Sequence, residues 1–291
     1  MPGAAHEMMV KVLKEHPEWF NLLLKTLKLR GLSKGLRLDD SALQAVLTVD
    51  RRPDVFWLEP GRSWAVAEVQ TKWKAGKIAS WIVTVAMLIA EHKVMGDLFI
   101  ITASRSVAEK ARSEIALRGA RGSSIRLQPV VVLLTAKEAR ALLAAQQPEL
   151  AFFAAWAVRG RRGEAAKEIV DEALHLTDKA ASEPLRAAQV QAILNVLEEP
   201  LLQMFQETLV NLDTMPESPA FRKLHLLLEA RGEARGEARM VLQVLGLRGF
   251  TVDKALRERV MACTDRPTLE RWHARAVTAA TVDEVFADPA P

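Results

Sequence analysis

Strand-like apolar runs crowd the first 134 residues, and beyond them strand signals almost vanish and hydrophobic residues recur mainly at helical spacings. That change of period constrains the fold more than any other feature, because alternation fits a sheet while a 3.6-residue repeat fits a helix. Before the change, Met9, Val12, Leu13, Phe20, Leu23, Leu24 and Leu27 mark an amphipathic helix over residues 6–29. The runs "LQAVLTV" (43–49), "DVFWL" (54–58) and "SWAVAEVQ" (63–70) then predict three close-set strands, with "EPG" as a turn. Trp81, Val85, Leu88 and Ile89 place a helix over 75–92, and "GDLFIITAS" (96–104) predicts a strand covered on both faces. A charged helix over 107–117 and a strand within "IRLQPVVVLL" (125–134) complete the series. The order α-β-β-β-α-β-α-β predicts an α/β layer architecture.

The remainder predicts helices over 136–145, 149–158, 163–176, 185–197 and 201–212, with "DTMPESPA" (213–220) as a linker. "EARGEARGEAR" (229–239) sets opposite charges one helical turn apart. Residues 241–286 predict a small helical hairpin anchored by Leu242, Leu245, Val260, Leu269, Trp272 and Val285, with Thr251 and Thr281 as candidate caps. The expected organisation is an α/β domain over 1–135, a helical extension over 136–214 and a helical module over 215–291.

Cys263 is the only cysteine, which excludes an intrachain disulfide and a thiolate zinc site. The longest apolar stretch, 78–90, is too short to span a bilayer, and the charged opening "MPGAAHEMMVKVLKEHPEW" does not read as a signal peptide. A cytoplasmic protein without a membrane segment is therefore expected. Residues 1–136 carry 20 Lys and Arg against 13 Asp and Glu, a net of +7; the rest carry 20 against 23, a net of −3. The basic first part points to a polyanionic partner.

Two acids stand inside the strand runs, where an unpaired charge is costly: Asp54 opens one run and Glu68 lies near the end of the next. With the turn at 59–62, counting outward brings them opposite each other. Strand alternation puts Glu68, Gln70 and Lys72 on one face. Two carboxylates so close repel unless a cation or proton lies between them, and an oxygen-rich site of this kind suits Mg2+ or Mn2+. Lys72 or the amide of Gln70 would orient a water or steady a phosphate. The competing reading pairs the acids structurally with Arg51, Arg52, Lys72 or Lys74, and makes Glu7 a helix-start acid facing the dipole. His6, His16 and His92 show no spacing that favours zinc, and Trp73 and Trp81 read as core or lid residues.

Pro53–Asp54 followed by Glu68–Val69–Gln70, in that strand context, resembles the PD-(D/E)XK nuclease superfamily, with Gln70 where a lysine is usual. The opening "HEMMVKVLKEHPEW" and the closing segment from "GLRGFTVDKAL" are similar to a bacterial group within it, close to the Rpn and transposase-like nucleases. The resemblance implies a restriction-endonuclease-like core, α-β-β-β-α-β with a mixed sheet flanked by helices, followed by an α-helical C-terminal region. It implies Mg2+- or Mn2+-dependent cleavage of nucleic acid, DNA above all. Asp54, Glu68 and a helix-borne Glu7 would be metal ligands, and Asp54, Glu68, Gln70 and Lys72 the catalytic set. Arg51, Arg52, Lys72, Lys74 and Lys77 would track phosphates. The alternative is a weak or inactive nuclease fold that acts as a scaffold for nucleic acid or protein, its helical half mediating self-association as a homodimer.

Overall fold

Tryptophans and β-branched residues build the sheet that organises the first part of the chain. The computed structural model describes residues 3–29, 31–32, 37–38, 53–59, 62–113, 115–120, 122–210 and 218–287, with backbone alone at 37–38 and 208–210. The strand expected at 43–49, the phosphate contacts expected of Arg51 and Arg52, and the first five residues of the "DTMPESPA" linker lie outside them. The chain divides into two compact units, 1–221 and 222–291.

The first helical segment is two helices, α1 (Ala4–Glu15) and α2 (Pro17–Thr26). The break falls before Pro17, which lacks an N–H and clashes with a preceding helical turn. A two-residue strand β1 (Arg37–Leu38), β2 (Val55–Glu59) and β3 (Ser63–Val69) follow as an antiparallel set. Helix α3 (Lys77–His92) then crosses to β4 (Asp97–Thr102), which pairs parallel with β3. This is the α-β-β-β-α-β order of a restriction-endonuclease-like core.

The single strand expected at 125–134 is two, because Pro129 breaks the run. After α4 (Arg105–Ser113), β5 (Ala116–Arg118) and β6 (Ser124–Arg126) form a separate hairpin. β7 (Val130–Leu133) joins β4 in parallel. The charged helix expected to reach 117 ends at Ser113, and its last residues belong to β5 instead. The sheet order is β1-β2-β3-β4-β7.

Both faces are covered. Phe56, Trp64, Val66, Leu98 and Ile100 pack under Trp81, Ile82, Val85 and Leu88 of α3. On the other face Phe20 of α2 stacks on Trp57 at 5.3 Å and meets Phe99 edge-on at 5.4 Å. Gly96 is required where the chain enters β4, since a Cβ there would lie 2.1 Å from the Trp64 carbonyl oxygen. The Trp64 indole in turn donates to Val94 O at 2.9 Å.

From Thr135 onward the described residues form helices only. α5 (Ala136–Ala144) starts at a capping box made by Thr135 and Glu138. α6 (Ala151–Val158) is apolar all round and wholly buried, as expected of a helix enclosed by others. α7 (Glu164–Thr177) and α8 (Glu183–Val196) pack against it, and α9 (Glu199–Val210) packs against α7. The Trp156 indole donates to Ala5 O at 3.0 Å and ties α6 to the start of α1.

α10 (Pro219–Leu247) carries the charged repeat. Its later part packs with α11 (Lys254–Ala262), α12 (Arg266–Thr278) and α13 (Val282–Phe286) around Val241, Leu245, Val260, Leu269, Trp272 and Phe286. Thr281 caps α13 as expected, whereas Asp253 rather than Thr251 caps α11. Among the described residues no helix is long and apolar enough to cross a membrane.

Candidate functional site

The register of β2 against β3 pairs Val55 with Ala67. One step further along the same register, Asp54 falls opposite Glu68, on the face that carries Phe56 and Val66. Asp54 Oδ2 accepts the backbone N–H of Val69 at 2.8 Å, which clamps the start of β2 to the end of β3. The same oxygen accepts from His6 Nε2 of α1 at 3.0 Å.

Glu68 is nearly buried, and its Oε2 gathers two donors. Lys77 Nζ lies at 2.7 Å and Gln70 Nε2 at 3.2 Å. Lys77 is the first residue of α3, a position where a cation opposes the helix dipole and where the helix itself offers no acid in its first turn. Glu68 offsets that conflict. Gln70 is buried as well, held by its N–H to Ile101 O at 2.9 Å.

The charges follow from these partners. Burial, and then the charge of Asp54, push the Glu68 carboxyl above its ordinary value; Lys77 counters part of the rise. Burial also acts to raise Asp54, but the His6 and Val69 hydrogen bonds and the charges of His6 and Lys77 outweigh it, and its pKa is lowered. The bond to Asp54 is the main reason that His6 is raised, against its own desolvation. The two acids thus sit in unlike states, Asp54 firmly ionised and Glu68 more easily protonated.

Asp54, Glu68 and Gln70 come together at the carboxyl end of β3. Lys72 and Lys74 lie exposed on the loop between β3 and α3. The strand ends at Val69, so alternation no longer governs Lys72, and Lys77 is the lysine whose ammonium reaches Glu68. Glu7 points outward, its side chain 63% exposed and 3.9 Å from His6 Nδ1. His6 is the residue that sequence reasoning passed over. A signal for it existed: His6 continues the buried stripe of Met9 and Leu13 at spacings of three and seven, which Glu7 does not. His16 stacks on Trp19 at 4.0 Å and His92 packs beside Phe56, both away from the acids. Trp81 is core, next to Trp73 at 5.9 Å.

Among the described residues no group of three or more His, Cys, Asp and Glu is arranged to hold a metal ion. The pair of acids still fits a hard divalent ion. The hydrogen bonds fall on Asp54 Oδ2 and Glu68 Oε2. That leaves Asp54 Oδ1 without a hydrogen bond among the described residues, while the Trp81 indole also interacts with the Glu68 carboxyl; Mg2+ characteristically takes one or two carboxylates and fills its shell with water and phosphate. No protein-family model, curated protein or solved structure matches the chain.

Proposed function

We propose that the chain is a metal-dependent phosphodiesterase that hydrolyses nucleic acid, with DNA as the substrate of choice. The observation that carries this reading is the Glu68–Lys77 pair beside Asp54: two acids on paired strands with a cation at the same carboxylate. Asp54 and Glu68 would hold Mg2+ or Mn2+, which offsets phosphate charge and lowers the pKa of bound water. Lys77 fixes the Glu68 carboxylate and keeps N–H donors to offer a non-bridging phosphate oxygen, the role usually sought from the lysine that Gln70 replaces. Gln70 holds Glu68 from the other side. His6 sets the rotamer of Asp54 and keeps it ionised. Lys72 and Lys74, exposed on the adjoining loop, suit backbone phosphates, and their contribution would fall with salt.

A second reading rests on one specific feature: each acid already has an internal partner, Lys77 for Glu68 and, when protonated, a cationic His6 for Asp54. On that reading the pair is structural, and the protein is a nuclease-fold scaffold for nucleic acid or protein. Titration calorimetry of Mn2+ into wild type and Asp54→Ala, with DNA cleavage assayed with and without Mg2+, separates the two. Binding and cleavage that vanish in Asp54→Ala support the enzyme. Wild-type protein inert toward Mn2+ and toward DNA and RNA would establish the scaffold.

A further inference from the structure

Beyond the carboxyl ends of β3 and β4 lies an open cavity of about 190 Å3, lined by Thr71, Ser104, Arg159, Gly160, Arg161 and Glu198 among others. In α/β sheets the space beyond the carboxyl ends of parallel strands is where ligands collect. Two short chains of contacts, each part peptide bond and part non-covalent, connect the cavity to the acidic site. Thr71 follows Gln70, which is bonded to Glu68, and Arg159 rests on Trp156, whose indole donates to the carbonyl of Ala5, next to His6.

Arg159 is the anomaly there. It is a guanidinium with only 8% of the residue exposed, lying 4.0 Å over the Trp156 ring and donating from one terminal nitrogen to Trp156 O at 2.8 Å. Its Nε is buried with no hydrogen-bond partner. The counter-charge is Glu198, whose Oε1 stands 3.8 Å from that Nε, beyond hydrogen-bond reach, on a side chain that is 57% exposed. A buried arginine stays ionised and needs an anion with good geometry; a mobile, solvent-screened carboxylate supplies little. Arg161 adds a second, exposed cation to the same cavity. Ser104, whose Oγ accepts the N–H of Val107 at the amino end of α4, also lines the cavity.

We infer that this cavity is a phosphate subsite, taking a backbone phosphate of the same nucleic acid that reaches Asp54 and Glu68. The assignment rests on the nuclease reading above. Arg159 and Arg161 hold the phosphate, the hydroxyls of Thr71 and Ser104 complete its hydrogen bonds, and Glu198 occupies the arginine in its absence and swings out when it arrives. Gly160 makes room for that carboxylate, since a Cβ there would lie 2.6 Å from Glu198 Oε2.

The test uses two exposed positions, so that neither variant strips the buried arginine from the fold. Full-length wild type, Arg161→Gln and Glu198→Gln are titrated with a labelled DNA oligonucleotide by anisotropy and with inorganic phosphate by calorimetry, all in EDTA. Arg161→Gln is expected to weaken DNA binding and to lower the salt slope by about 1. Glu198→Gln is expected to tighten both DNA and phosphate about 5-fold by removing a like charge at contact distance. Wild-type behaviour of both variants toward both probes overturns the subsite. A response to inorganic phosphate alone overturns its assignment to nucleic acid and leaves a free-phosphate site. Cleavage with Mg2+, measured separately, reports on the nuclease reading whatever the EDTA titrations give.

Discussion

Lys77 Nζ sits 2.7 Å from Glu68 Oε2, joining the first residue of α3 to the acid near the end of β3 across a loop of seven residues. Glu68 is the more buried partner, so the pair gives the acid its charge compensation while Lys77 keeps one side open to solvent. Lys77→Ala should lower stability at pH 7 by about 1–3 kcal/mol, the cost of leaving a buried polar group without its partner. The sign with pH follows from the raised pKa of Glu68. Below its unfolded value the acid is neutral in both states and needs no partner; as pH rises through the folded value, the buried charge becomes costly. The loss in melting temperature should therefore be larger at pH 8 than at pH 4.5. Equal losses at both would show that Glu68 is not the group affected.

Asp54→Asn and Glu68→Gln should each lower Mg2+-dependent cleavage at least about 100-fold, because each removes a fixed negative charge at the proposed ion. Circular dichroism should stay that of wild type. Variants that cut as well as wild type would assign the cleavage to a contaminant.

Lys72→Ala should act differently from Lys77→Ala. Lys72 is exposed on the loop, and its proposed partner is a phosphate. Its removal should weaken DNA binding and reduce the salt slope by about 1, with little change in melting temperature. A large stability loss in Lys72→Ala would contradict that placement.

His6 should titrate above its ordinary value of 6.5 in metal-free wild type, and Asp54→Asn should bring it down, because the Asp54 bond is the main cause of the rise. The His6 side of the pair contributes stability that is complete below pH 6.5 and lost as pH rises through the folded pKa. The Asp54 side is lost in the opposite direction, as pH falls through its depressed value. Histidine ring proton shifts followed by NMR check this, and an unchanged His6 midpoint in Asp54→Asn would break the assignment.

Gly96→Ala should destabilise the first unit by about 1–3 kcal/mol, the usual range for overpacking, since the new methyl would collide with Trp64 backbone and ring. Thermal unfolding measures it. A wild-type melting temperature would mean that the entry to β4 relaxes more easily than its contacts imply.

Much of this arrangement was legible in the order of residues. Short apolar runs located β2, β3 and β4, spacings of three and four located the helices beyond Thr135, and two acids in strand context located the acidic pair. Short-range chemistry explains why. Side-chain period, turn residues and the cost of a buried charge act within a few positions and leave a pattern in any sequence that obeys them. Pro17 and Pro129 were equally local signals, and they divide the elements that a smoother reading joined.

The partners of the acids were decided elsewhere. From parity alone Lys72 belongs with Glu68, but β3 stops at Val69, and the path of the following loop and the docking of α3 bring Lys77 instead. Likewise Glu7 looks like the helix-borne acid, yet the packing of Met9 and Leu13 rotates α1 so that His6 meets Asp54. Arg159 acquires its buried setting only because α6 is enclosed by other helices and pinned to Ala5. Composition and period establish which charges exist and which segments carry them. Which charge meets which depends on strand ends, loop paths and helix rotation, and these are set by packing between segments far apart in the chain.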